Sequence, residues 1–195
     1  MTAHAGRLSA FERTMQFLST SIPDVVIVEP RVFGDHRGFF METFHRQRFM
    51  EAGLDLSFVQ DNQSRSSQGV LRGLHYQLHQ PQGKLVRVTR GRIFDVAVDL
   101  RRSSATFGKW VGEVLDDEKH RQLWVPPGFA HGFLVLSESA DVVYRCTDLY
   151  APGDEHTLLW DDPSVGIEWP LEELTPVLSP KDLQGRTLAE APTYA

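Results

Sequence analysis

The feature that most limits the fold of this chain is a succession of short runs rich in branched and aromatic residues, each closed by Gly, Pro, Ser or Asp. From Ile22 onward, "DVVIVEP", "GFFMETF", "SFVQDNQS", "VLRGLHYQL", "KLVRVTR", "RIFDVAVDL", "GKWVGEVL", "HGFLVL" and "DVVYRCTD" follow one another in this way. Runs of that length and composition read as strands, and strands joined by turns rather than by long crossover helices pair antiparallel. The expectation is therefore a mainly β chain, a sandwich or a barrel, with a few short helices at the termini and edges. Helix-like spacing is confined to "AFERTMQFL" near the N-terminus, "HRQRFMEAG" stopped by Gly53, one exposed turn in "DDEKHRQ", and a start at "LSPKDLQG". In the last of these Ser179 is placed as an N-cap and Pro180 as the first helical residue.

Composition narrows the partners. The 195 residues suit one domain, and no linker or low-complexity stretch divides them. A formal charge of −6 with no Lys/Arg cluster argues against a nucleic-acid polymer as partner. Cys146 is the single cysteine, so no intrachain disulfide framework is expected, and a buried, inert thiol is the simpler reading for it. No run approaches the roughly 18 apolar residues of a membrane span, and the first twenty residues lack the continuous apolar core of a signal peptide. The expected location is the cytoplasm, with no membrane partner.

Several strands carry residues that a plain core strand would not. Side chains alternate along a strand, so Gln60, Asn62 and Ser64 share a face with Phe58, Lys84 shares one with Val86 and Val88, and Tyr144 shares one with Val142 and Cys146. If the valines face the interior, Lys84 and Tyr144 point inward too, and a buried lysine is rare unless paired or functional. In "VLRGLHYQ", regular alternation would put Arg72 and His75 on opposite faces.

"PPGFAHGF" has the spacing Pro126, Gly128, His131, which resembles the second signature of the cupin superfamily and so implies an antiparallel jelly-roll, cupin-like barrel with a site in its mouth. The metal-binding members carry His-x-His in their first signature. Here the matching place has His75 and then Gln77, with no carboxylate following closely. Gln is a poor stand-in for an imidazole ligand, so no metal is expected.

His, Arg, Lys and Tyr in one apolar cavity suit proton abstraction next to a carbonyl: a neutral imidazole accepts the proton, an ammonium stabilises the enolate oxygen and a phenol returns a proton from the other side. Taken singly, each has a structural alternative. His75 reads equally as a hydrogen-bonded strand residue, Lys84 as a chain snorkelling to the surface, Tyr144 as core with a tethered hydroxyl, and His131 as a satisfied rim histidine.

The stretches "IPDVVIVEPRVFGDHRGFFMETF", "FVQDNQSRSSQGVLRGLHYQ", "QGKLVRVTRGRIFDVAVDLR", "TFGKWVGEVL", "RQLWVPPGFAHGFLVLSE", "YAPGDEHTLLWDD", "GIEWP" and "LSPKD" run in family order from Ile22 to Asp182, and together they resemble the dTDP-4-dehydrorhamnose 3,5-epimerases. The resemblance implies roles position by position: His75 as catalytic base, Asp182 as the carboxylate orienting it, Lys84 facing the C4 carbonyl, and Tyr144 as acid on the opposite face. Arg72, Gln60, Asn62 and His131 fall at substrate-contacting positions. Phe33, Arg37 and Glu42 match residues that reach into the neighbouring subunit's site and hold the thymidine end, which implies a homodimer. The implied reaction inverts dTDP-4-keto-6-deoxy-D-glucose at C3 and C5 without a cofactor. Inversion of one carbon only and a metal-dependent cupin enzyme are the alternatives. Residues 1–21 precede the family's usual start and form an N-terminal extension with a helical pattern, leaving 22–195 as a single cupin-like domain. If Arg72 and His75 are to reach one ligand, the strand between them cannot be regular, and Gly73 is where a bulge is expected.

Overall fold

The structure is a computed structural model that describes residues 15–195. Its strands are β1 (Met15–Ser19), β2 (Val26–Pro30), β3 (Val32–Asp35), β4 (Gly38–Met41), β5 (Gln60–Ser67), β6 (Leu71–Gln77), β7 (Lys84–Arg90), β8 (Arg92–Asp99), β9 (Trp110–Asp116), β10 (Gln122–Val125), β11 (Phe129–Val135), β12 (Ser139–Cys146) and β13 (Glu155–Thr157). Among the described residues two α-helices accompany them, α1 (Arg46–Glu51) and α2 (Pro180–Leu183). Each run read as a strand in the sequence overlaps one. Ser179 caps α2 with Pro180 in its first turn, and the chain leaves α1 through Gly53 at a positive φ.

Two antiparallel sheets face each other. One has six strands in the order β1-β2-β10-β7-β12-β5, the other five in the order β13-β6-β11-β8-β9, and β3–β4 form a separate hairpin. Alternation explains the layers. Val86, Val88, Leu123 and Val142 of the first sheet meet Ile93, Ala97, Phe129, Phe133 and Val135 of the second in a buried inter-sheet core. The opposite parity of each sheet is covered as well. Val28, Leu85 and Trp124 lie under Phe49 of α1 and Leu56, while Leu74, Tyr76, Val96 and Val98 lie under the C-terminal stretch that brings in Leu158, Val165 and Ala191. Sheets buried on both faces carry apolar residues at both parities, which is why β11 is buried along its whole length.

The jelly-roll barrel expected from the sequence is not what forms: the two sheets remain open and are not closed into a barrel. No ladder joins the edge strands β1 and β5 to the edge strands β13 and β9. Between β5 and β13 the gap is held open by inward-facing polar side chains, Gln60, Asn62 and Ser64 from one edge and Glu155 from the other. A ladder there would replace the cleft with backbone hydrogen bonds and leave those side chains no room.

Two local expectations also change. Residues 10–18 carry a helical spacing, yet Met15–Ser19 is an edge strand paired with β2, because its apolar side chains bury better on that sheet than in a lone helical turn; residues 10–14 lie outside the described residues. Phe58 precedes the first residue of β5 and so escapes its alternation, packing outward against Phe44 and Trp124.

The irregularity expected at Gly73 is present. His131 on β11 pairs with His75, but Phe133 pairs with Arg72, so a two-residue step on one strand faces a three-residue step on the other. The extra residue puts Arg72 and His75 on the same side. Gly73 has φ +121°, and a Cβ there would stand 2.5 Å from Gly132 Cα and 2.7 Å from the His131 carbonyl oxygen. Because both obstacles are backbone, no rotamer change relieves them. Gly73→Ala should therefore cost at least about 3 kcal/mol, measured by urea unfolding, or prevent folding outright. A variant within about 1 kcal/mol of the parent would show that the two strands can separate there at little cost.

Candidate active site

The open end between the sheets is a cavity of about 360 Å³. Gln60, Asn62, Ser64, Lys84 and Tyr144 line it from the first sheet, Arg72, His75, His131, Gly132 and Phe133 from the second, and Gln82, Tyr150, Glu155 and Lys181 complete its mouth. Of the residues singled out in the sequence, it brings together Gln60, Asn62, Arg72, His75, Lys84, His131 and Tyr144, with Asp182 directly behind His75.

His75 Nε2 lies 2.6 Å from Asp182 Oδ1. Asp182 is buried, which alone would raise its pKa, but hydrogen bonds from His75, Ser179 and the Gly73 N–H outweigh burial and hold it at about 2. The carboxylate is thus ionised at neutral pH and accepts only, so the shared proton sits on Nε2 and the Nδ1 lone pair of His75 is free to act as a base. Burial pushes the His75 pKa down from its usual value; the positive charges of Lys181 and Lys84 push the same way, and the contact with Asp182 opposes them. The ring is consequently neutral at pH 7, the state a base requires.

Asp182 owes its position to the start of α2. Its Oδ2 accepts from Ser179 Oγ at 2.6 Å and from the Ser179 N–H at 3.2 Å, while the Ser179 side chain accepts from the Asp182 N–H at 3.3 Å. This is a reciprocal capping box. Oδ1, which meets His75, also accepts from the Gly73 N–H at 3.2 Å, tying the cap to the bulge of β6.

Facing His75 across the cavity are Lys84 and Tyr144, side by side on β7 and β12, with Cys146 paired opposite Lys84. Lys84 is buried, and its Nζ reaches the His75 carbonyl oxygen only at 3.4 Å. Burial lowers its pKa, partly offset by the fields of Cys146, Glu155 and Asp95. With so weak a protein contact, its N–H groups remain available to an oxygen placed in the cavity. Burial raises the Tyr144 pKa, so the phenol keeps its proton. The first sheet thus supplies donors and the second a base.

His131 Nε2 lies 2.9 Å from Asp95 Oδ1, with Asp95 fully buried. The sequence reading did not include Asp95; its signal was a carboxylate at apolar parity in "RIFDVAVDL". Also missed were Glu155, Lys181 and Tyr150. Glu155 accepts from Lys181 Nζ at 2.8 Å and from the Tyr150 hydroxyl at 2.9 Å, and the Tyr150 N–H donates to Gln60 Oε1 at 2.9 Å. Tyr150 stands on an irregular segment, Glu155 on the short edge strand and Lys181 on the four-residue α2, all too short for a periodicity to mark them. Arg72 Nε donates to Ser66 Oγ at 3.0 Å, which steadies the guanidinium at the cavity wall.

Phe33, Arg37 and Glu42 lie outside this cavity, on or beside the β3–β4 hairpin. Arg37 pairs with Asp35 at 2.5 Å and Glu42 pairs with Arg48. Phe33, Phe39 and Phe40 are 47%, 61% and 71% exposed, a dense apolar surface for an isolated hairpin. Among the described residues no group of three His, Cys, Asp or Glu side chains could hold a metal, and no helix is long and apolar enough to cross a membrane.

The comparisons point one way. Residues 19–190 match the family dTDP-4-dehydrorhamnose 3,5-epimerase. A dTDP-4-dehydrorhamnose 3,5-epimerase of Pseudomonas aeruginosa is 58% identical over 181 residues, covering 92% of this chain and 99% of that one. Among solved structures, the dTDP-6-deoxy-D-glucose-3,5-epimerase of Legionella pneumophila, in complex with dTDP-4-keto-L-rhamnose, superposes with a TM-score of 0.88 at 52% identity, covering 90% of this chain and 94% of that one. A 3'-monoepimerase of Streptomyces bikiniensis in complex with dTDP-quinovose is more distant, with TM-score 0.83 and 38% identity over 88% of this chain and 87% of that one. The bulged strand, the His75–Asp182 pair and the facing Lys84 and Tyr144 are therefore features of a chain that belongs to the dTDP-4-dehydrorhamnose 3,5-epimerase family.

Proposed function

We infer that this protein converts dTDP-4-keto-6-deoxy-D-glucose to dTDP-4-keto-L-rhamnose by epimerisation at C3 and C5, a step of dTDP-L-rhamnose biosynthesis. The observation that carries the mechanism is that His75 stands on one sheet, and Tyr144 and Lys84 on the other. Epimerisation needs a proton removed from one face of a carbon and another delivered to the opposite face, and two facing sheets supply both positions.

Both carbons flank the C4 ketone, so loss of either proton leaves an enolate. Nδ1 of His75 takes the proton while Asp182 holds the ring and stabilises the imidazolium. The C–H electron pair moves to the C4 oxygen, which the N–H groups of the buried Lys84 meet. Tyr144 then gives its phenolic proton to the far face of the carbon, and solvent restores both groups. No electron changes hands, so the reading uses no cofactor. Arg72 with Gln60, Asn62 and His131 would hold the diphosphate and sugar. Residues 22–195 form the catalytic domain in this reading, with Met15–Ser19 of the extension added to one sheet edge, and the protein works in the cytoplasm.

The protein is further read as a homodimer in which Phe33, Arg37 and Glu42 reach the partner's cavity and hold the thymidine end. The exposure of Phe33 and Arg37, and the place of all three outside the lining of their own chain's cavity, support that reading.

Proton NMR of the substrate in D₂O should show deuterium entering at both C3 and C5; label at one carbon alone would make this a monoepimerase. His75→Ala should lower turnover by about 10² to 10⁴, and near-native turnover would remove His75 from the role of base. Because the folded His75 pKa is lowered, the fall of kcat/KM at acid pH, as the ring gains a proton, should have its midpoint below 6.5, the usual histidine value. Ser179→Ala takes a hydrogen bond from the Asp182 carboxylate and should reduce kcat/KM about ten-fold, with Ser179→Thr restoring most of it.

A further inference from the structure

The β3–β4 hairpin joins neither large sheet, and an isolated two-stranded hairpin has little stability of its own. Something must set its direction. Three consecutive residues, His120, Arg121 and Gln122, touch the hairpin or the chain on either side of it. The His120 ring lies 4.8 Å from the Phe39 ring at an interplanar angle of 33°. Arg121 Nε pairs with Glu29 Oε2 at 2.7 Å, just before the hairpin, and the buried Gln122 Nε2 donates to the Thr43 carbonyl oxygen at 2.8 Å, just after it. The register pairs Phe33 with Phe40 and Gly34 with Phe39. Phe39 therefore meets His120 on one face of the hairpin, while Phe33 and Phe40 share the other.

His120 also has φ +55°, in the left-handed region that glycine and asparagine adopt at least cost. A turn that only had to reverse the chain would be more stable with glycine. The chain instead carries an imidazole there, stacked under Phe39.

We propose that His120 is a positioning residue: by stacking on Phe39 it sets the angle at which the hairpin delivers Phe33 and Arg37 to the nucleotide end of the substrate in the partner's site. This rests on the reading that the hairpin completes the neighbouring cavity. His120 touches no reacting atom, so its effect falls on substrate binding and leaves the chemical step alone.

The test uses the full-length protein and dTDP-4-keto-6-deoxyglucose. His120→Gly should keep the melting temperature or raise it and keep the oligomeric state, with kcat within about two-fold, yet raise KM by about three- to ten-fold, the range a lost aromatic contact supplies. Phe39→Ala should give the same split, and His120→Phe, which retains a ring, should bring KM back towards the parent value. Phe33→Ala is the control for the underlying reading. If Phe33→Ala raises KM and His120→Gly does not, the hairpin reading stands and the role of His120 is overturned. If Phe33→Ala leaves KM unchanged, or the parent protein is a monomer, the reading itself fails and the inference with it. Equal losses in stability and kcat for His120→Gly would make the residue structural only, which also overturns the proposal.

Discussion

The carboxylate of Asp182 is where the structure's separate requirements meet. It accepts from His75 Nε2 and the Gly73 N–H on one side and from the Ser179 hydroxyl and N–H on the other. A buried carboxylate without such donors would be protonated or expelled to solvent, and four of them keep it ionised with a pKa of about 2. The same contacts start α2, hold the bulged segment of β6 in place and decide which nitrogen of His75 carries the proton. The site's geometry thus hangs on one anion supplied with donors from two stretches of chain about a hundred residues apart, β6 and the start of α2.

The open pair of sheets is the second constraint. Burial of both faces of each sheet gives a rigid frame, and the unpaired edges at β5 and β13 leave room for a cavity whose walls are strands rather than mobile loops. Lys84 is tolerated inside that frame because its long apolar stem packs at valine parity while its Nζ emerges beside polar groups. The cost of burying it is a lowered pKa and a nearly unoccupied set of N–H donors, and those donors are what an enolate oxygen requires. Tyr144, two residues from Cys146 on the adjacent strand, owes its retained proton to the same dry surroundings.

Much of this was legible in the residues themselves. The inward parity of Lys84 and Tyr144 follows from the valines around them, and the glycine between Arg72 and His75 marked the place where alternation had to break. Ser179 and Pro180 announced the start of α2. Other features were not legible. Asp95 looks like any carboxylate of a strand until β8 and β11 are in register, when Phe133 lies opposite it and His131 comes within hydrogen-bonding reach. Glu155, Lys181 and Tyr150 sit on short or irregular segments that leave no periodic trace. Met15–Ser19 carries helical spacing but takes the free edge of β2, since backbone pairing plus burial on a sheet outweighs the propensity of so short a segment.

By itself the sequence determined most of the strand segments, which of their faces turn inward and which chemical groups those faces carry, because all three depend on local composition and a period of two. Only the tertiary structure decided that the sheets stay open rather than closing into a barrel, and which strands lie opposite one another. It alone set the His131–Asp95 pair and the outward direction of the hairpin. These rest on contacts between residues far apart in the chain, whose partners are chosen by packing and by competition for hydrogen bonds, and neither leaves a mark within the few residues that a local pattern spans.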